Sequence, residues 1–121
     1  MAKRILVVED HEENRQILRD LLGHAGYAML EAHTGADGVV AAARERPDLI
    51  LMDIQLPGID GYEVTRRIKA DPALRGIPII AVTSYALSGD DQKALAAGCD
   101  AYVTKPFSPR ALLGKIRELL G

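Results

Sequence analysis

Leu49-Ile50-Leu51-Met52-Asp53-Ile54-Gln55-Leu56-Pro57-Gly58 runs four apolar residues straight into one carboxylate, and Pro57-Gly58 then turns the chain. A short apolar run without alternation reads as a strand covered on both faces, as in a parallel sheet. That reading puts Asp53 at the strand's carboxyl end, where open α/β sheets bind their ligands. An isolated Asp at such a place more often merely opens a turn, so the flanking chain has to decide.

Upstream, Lys3 to Val8 is a β-branched, apolar run ending at Glu9-Asp10. Glu12 to Ala25 has helical spacing, with Ile17, Leu18, Leu21, Leu22 and Ala25 expected on the buried face. Glu12 and Glu13 suit the positive end of its dipole, and Gly26 ends it. Tyr27 to Ala32 reads as a weaker strand. Thr34-Gly35-Ala36-Asp37 has the form of a capping box, opening a helix expected to turn Ala36, Val39, Val40 and Ala43 inward until Pro47 stops it. Downstream, Asp60-Gly61-Tyr62-Glu63 is another capping-box pattern, with Val64 and Ile68 on the inner face. Ile77 to Val82 is the next strand, ending at Thr83-Ser84. Ser88 is expected to cap an alanine-rich helix that runs up to Gly98 and packs most weakly of the set. Ala101 to Thr104 forms a fifth strand ending at Lys105-Pro106. Ser108-Pro109 supplies an N-cap and a proline at the first helical position, before a helix that buries Leu112, Leu113, Ile116, Leu119 and Leu120.

Five strands alternating with five helices predict an α/β fold, a doubly wound parallel sheet in one domain spanning residues 1–121 with no output domain. At 121 residues, 48% hydrophobic and 26% charged, the composition is that of a globular domain with a real core. A net charge of −2 gives no basic field for nucleic acid or an anionic membrane. The single cysteine, Cys99, rules out an intrachain disulfide and reads as a packed thiol in a reducing compartment. Ile5-Leu6-Val7-Val8 is too short for a signal-peptide core, and no run approaches the ~20 apolar residues of a membrane span. The expected location is cytoplasmic.

Right-handed crossovers bring the carboxyl ends of the strands to one edge. There the first strand delivers Glu9 and Asp10, the third Asp53, the fourth Thr83 and the fifth Lys105. Crowded carboxylates repel, and a hard divalent cation offsets this; Mg2+ typically takes one or two carboxylates with waters and phosphate oxygens. A carboxylate beside a metal and a lysine can accept a phosphoryl group, whose oxygens the cation, the ammonium and a hydroxyl then stabilise.

With these residues in place, the chain from Lys3 onward resembles the receiver domains of two-component response regulators, a flavodoxin-like fold. The resemblance rests on Val8-Glu9-Asp10, on Leu51 to Gly61, on Ala81-Val82-Thr83-Ser84 and on Lys105-Pro106-Phe107. It implies that Asp53 is the phosphoacceptor and that Asp10, Asp53 and the main-chain carbonyl of Gln55 bind Mg2+, with Mn2+ as the alternative ion. Glu9 would hold a metal-bound water. Thr83 and Lys105 would bind the phosphoryl group, and the Lys105–Pro106 bond would be cis. Tyr102 would turn inward as Thr83 moves, although a plain core aromatic is an equal reading of that position. Gln55 and Tyr85 would flank the path of the attacking water and modulate dephosphorylation. Among subtypes the chain is most similar to single-domain DivK-type regulators, except that His11 stands where that subtype more often has Asn, a difference given no functional weight.

Other readings of Asp53 fail on particular residues. An aspartyl-phosphate hydrolase of the haloacid dehalogenase type needs a second Asp where Gln55 stands, and usually a larger core with a cap. An EF-hand loop fits Gly58 but fails at Gln55, Pro57 and Val64. Flavin binding lacks a Ser/Thr-rich phosphate loop after the first strand. A pseudo-receiver would have lost an acceptor or acid, and here every position is filled. His24, His33 and the Arg66-Arg67 pair read as solvated surface. The function expected is a stand-alone phosphorylation switch, a signalling module before an enzyme, that assists its own phosphotransfer and slow autodephosphorylation. A histidine kinase or histidine phosphotransfer protein would supply the phosphoryl group, and a downstream protein target would read the altered surface.

Overall fold

The computed structural model describes residues 2–83 and 90–120. Along the chain lie β1 (Arg4–Val8), α1 (Glu12–His24), β2 (Ala28–Ala32), α2 (Gly35–Glu45), β3 (Leu49–Asp53) and α3 (Gly61–Ala70). They are followed by β4 (Ile79–Thr83), α4 (Asp90–Ala97), β5 (Ala101–Thr104) and α5 (Pro109–Leu120). The strands form one parallel sheet in the order β2-β1-β3-β4-β5. This is the expected doubly wound arrangement, and its order reverses between β1 and β3, where such sheets open a crevice.

Alternate strand residues face two cores. Ile5, Val7, Leu49, Leu51, Ile80 and Val82 pack with Leu18 and Leu22 of α1 and Leu112 and Ile116 of α5. Leu6, Val8, Ile50, Met52, Ile79 and Ala81 pack with α2, with Val64 and Ile68 of α3, and with Ala94 of α4. All five residues of β3 are buried, Asp53 included. Each large aliphatic side chain buried there contributes roughly 1.5–3 kcal/mol, so the central strand can carry a buried carboxylate at its end.

The caps lie where the sequence puts them. Thr34 Oγ1 accepts from the Asp37 amide at 3.0 Å, Asp60 Oδ1 from the Glu63 amide at 2.9 Å, and Ser108 Oγ from the Ala111 amide at 3.4 Å. Ser88, the expected cap of the fourth helix, lies outside the described residues.

Two expected helix faces are corrected. On α2 the inward residues are Gly35, Gly38, Ala41 and Ala42, while Ala36 and Ala43 are exposed, Val39 is half-buried and Val40 is 57% exposed. Small residues at helical spacing let α2 lie close on β1: a Cβ at Gly38 would sit 3.0 Å from the Val8 methyls. Size, not hydrophobicity, therefore chose the face. On α1, Leu18 and Leu22 are buried and Leu21 is partly so, but Ala25 is exposed and Ile17 is 56% exposed. Arg15 occupies part of the inner face instead.

Candidate phosphoacceptor and metal site

Backbone pairing fixes where each strand-end side chain emerges. The Glu9 amide donates to the Ala32 carbonyl at 3.0 Å, the Ile54 amide to Val82 at 3.0 Å, and the Lys105 amide to Thr83 at 2.6 Å. Glu9, Asp53 and Thr83 are nearly inaccessible, at 2%, 3% and 2% exposure. Lys105 stretches across them, its Nζ 3.2 Å from Glu9 Oε2 and 3.8 Å from Asp53 Oδ2. Asp53 Oδ1 accepts from the Gln55 amide at 3.0 Å. The Lys105–Pro106 peptide is cis. Beside these groups opens a cavity of about 490 Å³, walled by Asn14, Ile17, Pro106 and Phe107 and reaching Glu9 and Asp53. Ile17 is exposed because it lines this opening instead of the core.

The crowding is visible in proton affinity. Burial, and then the hydrogen bond and charge of Glu9, push the Asp53 carboxyl up to about 7 against the pull of Lys105 and the Gln55 amide. Glu9 moves the other way. Burial opposes its ionisation, but hydrogen bonds from Asp53 and Asn14 and the charge of Lys105 hold it below the usual carboxylate range. The crowding thus acts oppositely on the two acids, making Asp53 the readier of the pair to hold a proton.

Asp10 lies at the rim, more exposed than its neighbour, with His11 Nδ1 3.2 Å from its Oδ1. That oxygen is buried and has no hydrogen-bond partner among the described residues. An orphaned carboxylate oxygen beside the buried Glu9 is what a dication site requires, so the donor set fits a metal such as Mg2+. One oxygen or nitrogen from each of Glu9, Asp10 and His11 lies within 4.8 Å of the others.

Thr83 ends β4 directly across the ladder from Thr104, and Ala81 in β4 is opposite Tyr102, which is half-buried against the α2–α4 core. Tyr85 lies outside the described residues. Three residues around the acids have no signal in an apolar-run reading. Asn14 Nδ2 donates to Glu9 Oε1 at 2.8 Å. Buried Arg15 donates from Nη1 to the Glu9 carbonyl at 2.8 Å and from Nη2 to Glu12 Oε2 at 2.7 Å. His11 completes the acidic cluster. Asn14 and Arg15 fall four residues after Asp10 and His11, in the first turn of α1, which is the pattern that could have found them. Cys99 is the packed thiol expected, 4% exposed and 3.7 Å from Thr65 Oγ1, with burial pushing its pKa up.

Residues 5–117 match the family described as the response regulator receiver domain. The polar-differentiation response regulator DivK of Brucella anthropi is 44% identical over 121 residues, covering 100% of this chain and 98% of that protein. Its counterpart in Brucella ovis is 43% identical over the same span. Among solved structures, the receiver domain of a sensor histidine kinase from Pseudomonas aeruginosa superposes with a TM-score of 0.93 at 39% identity, covering 100% and 99% of the two chains. That structure has a magnesium ion coordinated in its active-site cleft. The chemotaxis response regulator CheY4 of Vibrio cholerae superposes at 0.92 with 27% identity, covering 99% and 100%. Among the described residues no helix is long and apolar enough to cross a membrane.

Proposed function

The chain belongs to the response regulator receiver domain family, and from that premise we propose that it is a phosphorylation switch whose acceptor is Asp53. The observation that carries the reading is Asp53 itself. It is a buried carboxylate at the end of the central strand, with an ammonium 3.8 Å from one oxygen and a backbone amide 3.0 Å from the other. The Gln55 amide fixes the rotamer, and Lys105 supplies positive charge where a phosphoryl group would arrive. The adjoining cavity leaves room for a donor side chain beside Asp53.

A carboxylate oxygen of Asp53 attacks phosphorus in line with the departing imidazole of a phosphohistidine. The O–P bond forms, the P–N bond breaks, and the imidazole leaves to take up a proton. Thr83 donates its hydroxyl hydrogen to a phosphoryl oxygen, and Lys105 pairs with another. Glu9, held by Asn14, keeps its negative charge on the metal side. Glu9, Asp10, Asp53 and the carbonyl of Gln55 are the groups that would hold Mg2+, with Mn2+ as the alternative. When bound, the ion neutralises the carboxylates and the transferred oxygens, and so favours the ionised form of Asp53 that attack requires.

The donor is a histidine kinase or histidine phosphotransfer protein, and the phosphorylated surface binds a downstream protein target. Movement of Thr83 toward the phosphoryl group, followed by Tyr102, would carry the change into β5 and α4. Gln55 and Tyr85 would set how readily water reaches the aspartyl phosphate. Incubation with acetyl phosphate, with and without Mg2+, tests this by intact mass. A gain of one phosphoryl group that depends on Mg2+ is expected. Steady phosphate release at high turnover would indicate an enzyme, and no change in mass would sink the proposal.

A further inference from the structure

His11 follows β1 and precedes α1, at a cap position where a short polar side chain would normally accept from the helix amides. Its backbone is extended, with φ −92° and ψ 124°, and its side chain makes no cap hydrogen bond. The ring instead turns to the acidic cluster, with Nδ1 3.2 Å from Asp10 Oδ1 and 3.4 Å from Glu9 Oε1. Asp10 Oδ1 is buried and has no hydrogen-bond partner among the described residues even so. The ring is 70% exposed, so it adopts this position without being packed into it. Two donors each about 2.1 Å from one ion, at a near-right angle, stand about 3 Å apart.

We propose that His11 is a direct ligand of the strand-end metal site and makes it prefer a borderline transition-metal dication, Co2+ or Ni2+, over Mg2+. The inference rests on the reading of Glu9, Asp10 and Asp53 as a divalent-cation site. Mg2+ takes oxygen donors and gains little from an imidazole. The later first-row dications gain much from one, in the order Mn2+, Fe2+, Co2+, Ni2+. An oxygen-only site selects by charge and size, whereas adding one nitrogen donor at its rim selects by ligand type. The rival explanation is that His11 serves as an imidazolium that merely offsets the charge of Asp10 and Glu9.

The chain has no tryptophan to report binding, so calorimetry and the visible spectrum of Co2+ are the readouts. Wild type, His11→Asn, His11→Ala and Asp10→Asn of the full chain are titrated with Mg2+, Co2+ and Ni2+. His24 and His33 remain in every variant, so adventitious surface binding cancels. Both His11 variants are expected to bind Co2+ and Ni2+ roughly tenfold or more weakly, with Mg2+ affinity within about twofold of wild type. The Co2+ bands should shift as a nitrogen ligand is lost, and Asp10→Asn should weaken all three ions. Unchanged Co2+ affinity in the His11 variants alongside normal Mg2+ binding overturns this inference alone. Mg2+ and Co2+ both bound more tightly by those variants would support the imidazolium and overturn ligation by His11. Absence of binding by any of the ions overturns the metal-site reading as well.

Discussion

Asp53 and Glu9 show opposite consequences of one crowded site. Asp53 is raised from 3.8 to about 7, so between those values the folded chain holds a proton that the unfolded chain has released. Stability from that proton is complete below the unfolded value and is lost as pH rises through the folded one. Glu9, held below its ordinary range, contributes stability above that range and loses it only in acid. Without metal, Asp53→Asn should therefore melt higher than wild type at about pH 8, and the gap should close toward about pH 5. Calorimetry in EDTA reads this, at about 4 °C per kcal/mol for a chain of this size. An Asn variant that melts lower at the alkaline end would contradict the clustering of charge. Lys105→Ala removes the cation 3.2 Å from Glu9 and 3.8 Å from Asp53. It should cost about 1–3 kcal/mol without metal, and a melting temperature equal to wild type would mean that the ion pairs stabilise nothing. Glu9, Asp10, Asp53, Thr83 and Lys105 were legible because each closes an apolar run. Asn14 and Arg15 were not, since their role appears only once the first turn of α1 folds back over Glu9.

Elements hold the site through close approach. Gly61 begins α3 directly against the acceptor: a Cβ there would run into the Asp53 carbonyl oxygen and stand 2.7 Å from Ile54 Cα. Gly61→Ala must push α3 from β3, so a loss of about 1–3 kcal/mol is expected, with weaker Mg2+ binding measured by calorimetry. Normal stability and normal binding would show that the loop after β3 does not position Asp53. The same closeness explains the misread face of α2, because hydrophobic periodicity favours Val40 and Ala43 while the spacing to β1 admits only glycine and alanine. On the opposite edge, Ala94 and Ala97 are the buried residues among those described in α4, and Leu95 is 59% exposed. That thin packing suits the shift of α4 proposed for the switch. Beryllofluoride should change amide exchange across residues 90–102 in wild type, and Thr83→Ala should blunt the change while leaving the mimic bound. An equal response in both proteins would remove Thr83 from the switch.

At the level of the whole molecule, parallel topology does the gathering. Residues 10 and 105 are far apart in sequence, yet the strand order β2-β1-β3-β4-β5 brings the ends of β1, β3, β4 and β5 to one edge. This was legible because the five apolar runs and the helical patterns between them leave few alternative topologies. The opposed shifts of Glu9 and Asp53 and the cavity beside them were not, since each depends on distances across the sheet that no local pattern encodes; nor was the turn of His11 toward Asp10, which is a matter of rotamer. Two core layers supply the burial that holds these acids together despite their repulsion, and the proposed acceptor among them is the buried Asp53. The most direct measurement is therefore the address of the modification. The full chain, treated with acetyl phosphate and Mg2+, is trapped with borohydride and its peptides are mapped by mass spectrometry. Reduction at Asp53 alone, absent from Asp53→Asn and absent without metal, is the predicted result. A phosphoryl group found on another side chain, or an Asp53→Asn variant labelled as fully as wild type, would contradict the assignment of Asp53 as acceptor.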